Sequence, residues 1–188
     1  MRWFLADSHF SHSNIIKYCA RPFKDAGEMN KVLIENWNNL VKPEDTIYHL
    51  GDVAFASPDV IKNIITNLNG YKILILGNHD RKAYKMTEYG FQEVHQSLQI
   101  TLSDGTIANL SHYPYKGSTE DKFARKFETK SLKDDGRLLI NGHVHTSWRS
   151  KHGQYKNHMI NVGVDVWNFR PVSESELLAY LQTLDNLK

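Results

Sequence analysis

The chain has a single cysteine, Cys19, so it can form no internal disulfide, and a small fold stapled by cystines is excluded. A metal site built from several thiolates is excluded with it. No run of about 18 apolar residues is present, so no transmembrane helix is expected. The opening stretch "MRWFLADSHF" has too short an apolar run for a secretory leader, and a cytoplasmic location with no membrane partner is expected. Charge of one sign is also lacking: 23 Lys+Arg against 21 Asp+Glu leave a net charge of +2, too balanced for a basic nucleic-acid or membrane surface. Repeats and low-complexity linkers are missing too. With 188 residues and 40% hydrophobic content, a single domain over residues 1–188 with a substantial core is expected. What the chain does carry in number is histidine, ten in all.

Strand-like and helix-like stretches alternate. Trp3 to Ala6 is a short apolar run, followed by a loop through Arg21-Pro22-Phe23. Met29, Val32, Leu33, Trp37 and Leu40 recur at helical spacing until Lys42-Pro43 stops the pattern. "DTIYHL" reads as a strand, and Ser57-Pro58 opens a helix expected to bury Val60, Ile61, Ile64, Ile65 and Leu68. "YKILIL" reads as a strand buried on both faces. Beyond Gly90, "SLQITL", Asp104-Gly105 and "TIANLS" form a hairpin pattern. "KFARKFETKSL" fits a helix or an ordered loop, "RLLI" a strand and "HMINVGVDVW" another strand; Ser173 and Glu176 form a capping box for a last helix with Leu177, Leu178 and Leu181. The early half predicts parallel β-α-β units and the later half antiparallel strands, together an α/β fold of two packed sheets with helices outside.

The polar residues fall at regular places on that map. Asp7 and His9 follow the first strand, Asp52 the second behind Gly51, and Asn78 and His79 the third behind Gly77. His112 follows the hairpin, and His143 and His145 follow "RLLIN" behind Gly142. Parallel sheets gather ligand sites beyond the carboxyl ends of their strands, so these clusters can converge. Asp, Asn and His without Cys suit Mn, Fe, Zn, Co or Ni. Asp-x-His and His-x-His pairs send alternate side chains the same way if the segment is extended. Asp52, in the middle strand's loop, is the candidate to bridge two ions.

The ordered set "DSH", "GDVA", "GNHD", "SHYP" and "GHVH" resembles the calcineurin-like metallophosphoesterase superfamily, in the manner of compact bacterial and phage members, from Asp7 to about Gly163. The resemblance implies a four-layer α/β/β/α sandwich of two mixed sheets flanked by helices. It implies two divalent ions, the first held by Asp7, His9, Asp52 and His145 and the second by Asp52, Asn78, His112 and His143. His79 matches the family's catalytic histidine. The implied reaction is hydrolysis of phosphodiesters or phosphomonoesters by a two-metal-activated hydroxide, with His79 as acid to the leaving oxygen. The chain leaves little sequence for a capping domain, which favours small phosphate esters, nucleotides or nucleic-acid ends as substrates. His12, Asn14 and Arg21 are candidate substrate contacts, Arg21 with loop structure as its alternative. The "GDxxDR" pattern of protein phosphatases is not matched, since Val53-Ala54-Phe55 follows Asp52, and Asp80 is the substitute candidate for orienting His79. The alternatives are a phosphomonoesterase or nuclease of this fold, or a metal-bound non-catalytic scaffold. His49, His95, His152 and His158 are expected to be structural or surface residues, and Trp37 and Trp167 to pack.

Overall fold

The computed structural model describes residues 1–118, 126–155 and 157–186. The first sheet contains β1 (Arg2–Leu5), β2 (Thr46–His49), β3 (Tyr71–Ile75), β4 (Glu93–His95) and β10 (Val172–Ser173) in the order β10-β1-β2-β3-β4. β1 to β4 run parallel and β10 is antiparallel to β1. The second sheet contains β5 (Ser97–Thr101), β6 (Ile107–Ser111), β7 (Leu138–Asn141), β8 (Ser150–His152) and β9 (His158–Asn161) in the order β5-β6-β7-β9-β8. The α/β architecture of two mixed sheets flanked by helices is the one expected.

The antiparallel later half is a correction. The β5–β6 hairpin and the β8–β9 pair are antiparallel, but β6, β7 and β9 at the sheet's centre run parallel. The connections from β6 to β7 and from β7 to β9 are long enough for crossovers, which parallel pairing requires. "HMINVGVDVW" is not one strand either: β9 ends at Asn161, whose Oδ1 accepts the Gly163 N–H, and a 3-10 turn follows over Val164–Val166. Of "KFARKFETKSL", residues 122–125 lie outside the described residues, and the rest contains a 3-10 turn at Glu128–Lys130.

The helices are α1 (Ser13–Tyr18), α2 (Ala26–Leu40), α3 (Pro58–Thr66), α4 (Ala83–Glu88) and α5 (Glu174–Asp185). Asp25 caps α2 by accepting the Glu28 N–H, and Met29, Leu33 and Trp37 form its buried stripe. Ser57 stands at the N-cap of α3, but its hydroxyl makes no capping bond there. Ile61, Ile64, Ile65 and Leu68 are buried, whereas Val60 is exposed because it lies about 100° round the helix from Ile61. Ser173 accepts the Glu176 N–H at the start of α5; the return arm of the capping box is missing because the Glu176 carboxylate pairs with Arg170.

Strand alternation divides the core. Trp3, Leu5, Ile47 and Leu74 face the helices with Met29, Trp37 and Ile61. Phe4, Ala6, Tyr48, Ile73 and Ile75 face the second sheet, meeting Leu110, Leu138, Ile140 and Ile160, and Leu177 of α5 joins them. Trp37 is 1% exposed, and a truncation to alanine there costs about 3–5 kcal/mol. Trp167 also packs, its Nε1 donating to the Asn161 carbonyl. Among the described residues no helix is long and apolar enough to cross a membrane.

Candidate metal centre

The parallel strands β1, β2 and β3 of the first sheet and β6, β7 and β9 of the second lead into loops that meet at one edge. Backbone bonds stitch their loops together: Asp7 N–H donates to Gly51 O, His9 N–H to Asp52 O, and Gly142 N–H to His112 O, all at 3.0–3.1 Å. Side chains reinforce the seam. His143 N–H donates to Asp7 Oδ2 and His79 N–H to Asp52 Oδ1, both at 2.9 Å. This closeness leaves no room for a Cβ at two positions. A methyl at Gly77 would sit 2.2 Å from Asp52 Oδ1, and one at Gly142 2.7 Å from Asp7 Oδ2.

The expectation of extended Asp-x-His and His-x-His segments is corrected by the backbone. Asp7, His9, Asp52, His143 and His145 all have positive φ, between 45° and 72°. Non-glycine residues reach that region at a cost, and strain of this kind clusters where side chains must be aimed for function. Each pair converges through two left-handed residues separated by one ordinary residue.

Two triads result. The donor atoms of Asp7, His9 and His145 all lie within 4.8 Å of one another, and so do those of Asp52, His112 and His143. Asp52 Oδ2 stands 3.5 Å from both His9 Nε2 and His112 Nε2, which joins the triads. Asp7 Oδ1, His9 Nε2, Asn78 Oδ1 and His143 Nε2 are buried with no hydrogen-bond partner. Buried polar atoms are ordinarily satisfied, so a group of orphans among Asp, Asn and His side chains is the mark of a cation-binding site. His143 Nδ1 and His112 Nε2 also face each other at 3.2 Å, a placement that needs a proton or a cation between them. The residues present therefore fit divalent metal.

The surroundings set protonation. Burial pushes His9 well below the usual imidazole range and His143 down to about 3, so both keep a free lone pair at neutral pH. Burial opposes charge on Asp52 as well, but His112, His9 and the His79 N–H outweigh it and hold the carboxyl at about 2. His112 Nδ1 donates to Leu50 O at 2.7 Å, which leaves the Nε2 lone pair facing the site. His145 is pushed up to about 11: burial disfavours its charge, yet Asp7 and the hydrogen bond to Asp165 prevail.

Asp165 and Arg21 complete the shell. His145 Nδ1 donates to Asp165 Oδ2 at 2.9 Å, leaving Nε2 for metal. Of the two roles expected for Arg21, substrate contact and loop structure, its surroundings fit the second, because its buried guanidinium is occupied by Asp165, Asp7 O, Ser8 O and the Met29 sulfur. Asp165 escaped the sequence reading because it sits in a turn inside a stretch read as a strand; its position just past a strand end was the available signal.

Asp80 does not orient His79. Its carboxylate accepts the N–H groups of Asp52, Val53 and Gly77 at 2.8–2.9 Å, and burial beside Asp52 pushes it up to about 6. The His79 side chain is 41% exposed, with Nε2 3.9 Å from Asp52 Oδ2. His12 lies against this group, its ring 5.4 Å from His9 and 6.3 Å from His79, whereas Asn14 is an exposed residue of α1. His49, His95 and His158 are engaged by Ser8, Glu93 and Asp185.

Aspartate, asparagine and histidine donors at the common strand edge of a double-sheet α/β fold are the arrangement of a metallophosphoesterase domain. The model of the calcineurin-like phosphoesterase superfamily domain matches residues 3–182, and the chain belongs to that superfamily. It is 35% identical to an uncharacterized protein of Methanocaldococcus jannaschii, covering 91% of this chain and 85% of that one. It is 31% identical to the gene 66 protein of a Mycobacterium phage, L5, covering 93% and 91%. A solved structure of a protein of unknown function from Aquifex aeolicus superposes with a TM-score of 0.72 at 34% identity, covering 96% of this chain and 98% of that one.

Proposed function

We propose that this chain hydrolyses phosphate esters, phosphodiesters first, with two divalent ions as cofactors and small nucleotide-type or nucleic-acid-end substrates. The observation that carries the reading is the pair of donor triads, joined by Asp52 of one lying 3.5 Å from His9 of the other, with their orphaned buried atoms. Asp7, His9, Asp52 and His145 would hold one ion; Asp52, Asn78, His112 and His143 would hold the other. When bound, such ions neutralise phosphate charge and acidify water at neutral pH. The donor set suits Mn, Fe, Zn, Ni or Co.

The chain's own residues do the rest. Arg21 and Asp165 fix the tautomer and direction of His145. Asp80 fixes the backbone that aims Asp52. His79 stands at the open side of the site, beside Asp52 but in neither triad, where it can give a proton to the departing ester oxygen. An imidazole is suited to that step because its ring N–H can donate to an ester oxygen and be restored from solvent.

The test is chelation, reconstitution with Mn, Ni, Co or Zn, and assay on bis- and mono-p-nitrophenyl phosphates, cyclic nucleotides and oligonucleotides. Metal-dependent release from at least one ester is expected. Two bound ions with no turnover on any ester would overturn the reading in favour of a scaffold.

A further inference from the structure

Phe55 is 58% exposed, although Val53 and Ala54 just before it are 1% and 7% exposed. Its display is built into the backbone. Phe55 N–H donates to Phe10 O at 2.8 Å, and Ala54 bridges to Phe10. The ring stacks on His12 with centroids 4.8 Å apart and planes 30° apart, and it meets the His79 ring edge-on at 6.2 Å. Together with Ala54, Ala56, His79, Asp80 and Arg81 it lines a cleft of about 460 Å³. Arg81 is exposed at the rim, its Nη2 reaching the Ala56 carbonyl at 3.5 Å. None of Phe55, His12 or Arg81 belongs to a metal triad.

We infer that Phe55, braced by His12, is a stacking platform for the base of a nucleoside leaving group, with Arg81 placed to meet an additional phosphate on that group. The inference rests on the phosphoesterase reading and deepens it. A proton from His79 must reach the leaving oxygen, so the leaving group lies on the side of the site that His79 borders. That side is the Phe55 cleft. A flat aromatic surface beside a cation matches a base with its phosphate; an aliphatic alcohol would leave the exposed ring unused. Stacking of a base on an aromatic side chain is worth about 1–3 kcal/mol, which corresponds to about 5- to 150-fold in binding.

Two diesters of the same nucleotide test this, one with a nucleoside as leaving group and one with methanol. Phe55→Ala should raise KM for the nucleoside ester about tenfold more than for the methyl ester, and Phe55→Trp should restore the preference. Equal effects on both esters would overturn the platform. A second readout needs no turnover: a 2-aminopurine nucleotide should be quenched on binding to wild type and to Phe55→Trp but not to Phe55→Ala. Quenching that persists in Phe55→Ala also overturns it. Comparing a free 2-aminopurine nucleotide with a single-stranded oligonucleotide carrying the same terminal base separates the two sources of this chemistry by affinity. If wild type quenches the base yet hydrolyses no ester with metal bound, the phosphoesterase reading falls and the platform stands.

Discussion

Arg21 holds Asp165 through two parallel hydrogen bonds, Nε to Oδ1 at 2.8 Å and Nη2 to Oδ2 at 3.1 Å, and Asp165 passes the constraint to His145 Nδ1. The same guanidinium also donates to the carbonyls of Asp7 and Ser8. One side chain thus ties the loops after β1, β7 and β9 and faces no substrate.

Asp165→Asn should lower metal affinity about 10–100-fold, because the amide cannot replace the carboxylate behind His145. Arg21→Lys should not rescue the geometry, since a single ammonium cannot supply the fork. Arg21→Ala should cost about 1–3 kcal/mol, because the carbonyls of Asp7 and Ser8 lose their donor and Asp165 keeps only His145. Metal titration and urea unfolding read these effects. Unchanged affinity in Asp165→Asn would break the link between Asp165 and the centre.

Asp80→Asn tests the loop that aims Asp52. The carboxylate accepts three backbone N–H groups, and an amide presents only one acceptor atom to them. A loss of about 1–3 kcal/mol is expected, together with reduced metal content. Wild-type stability and metal content in the variant would show that Asp52 is aimed without Asp80.

Much of this candidate centre was legible because its Asp, Asn and His residues sit in loops directly behind β-rich runs, and the carboxyl ends of parallel strands meet at one edge. The second sheet was harder to read. Parallel pairing of β6, β7 and β9 depends on crossover connections whose return path leaves no local pattern. α1 and α4, at six residues each, are too short to show a helical period. Arg21 was left between two roles for a different reason: a guanidinium suits phosphate and carboxylate equally, and only the tertiary fold brings Asp165 to it. The left-handed backbone at Asp7, His9, His143 and His145 was also invisible, because aspartate and histidine adopt it only where surrounding structure imposes it.

Metal binding near pH 7 should release about one proton per chain. His145, pushed up to about 11, carries a proton in the metal-free protein, while His143 at about 3 is already neutral. A coordinating imidazole must give up that proton, so apparent affinity should rise about tenfold per pH unit in this range. The sign for stability is the reverse. With the folded value raised above the usual 6.5, the stabilisation from protonated His145 is complete below that pH and is lost as pH climbs towards 11. Calorimetry in two buffers of different ionisation enthalpy counts the proton, and His145→Gln should abolish its release. A zero count in wild type at pH 7 rejects this account.

His79→Ala separates proton donation from metal binding. His79 belongs to neither triad and its side chain is 41% exposed, so the variant should keep its fold and its metal content. Turnover should fall about 10²–10⁴-fold, the usual contribution of a positioned acid. The loss should depend on the leaving group. An alkoxide needs its proton in the transition state, whereas p-nitrophenolate is stable as an anion. A methyl phosphodiester should therefore lose far more activity than bis-p-nitrophenyl phosphate. Measuring kcat for both esters, with metal content determined on the same samples, decides among three outcomes. A graded loss with metal retained supports the acid role. An equal loss for both esters means that His79 stabilises the phosphate instead. Loss of metal would make His79 a ligand and require the two triads to be redrawn around it.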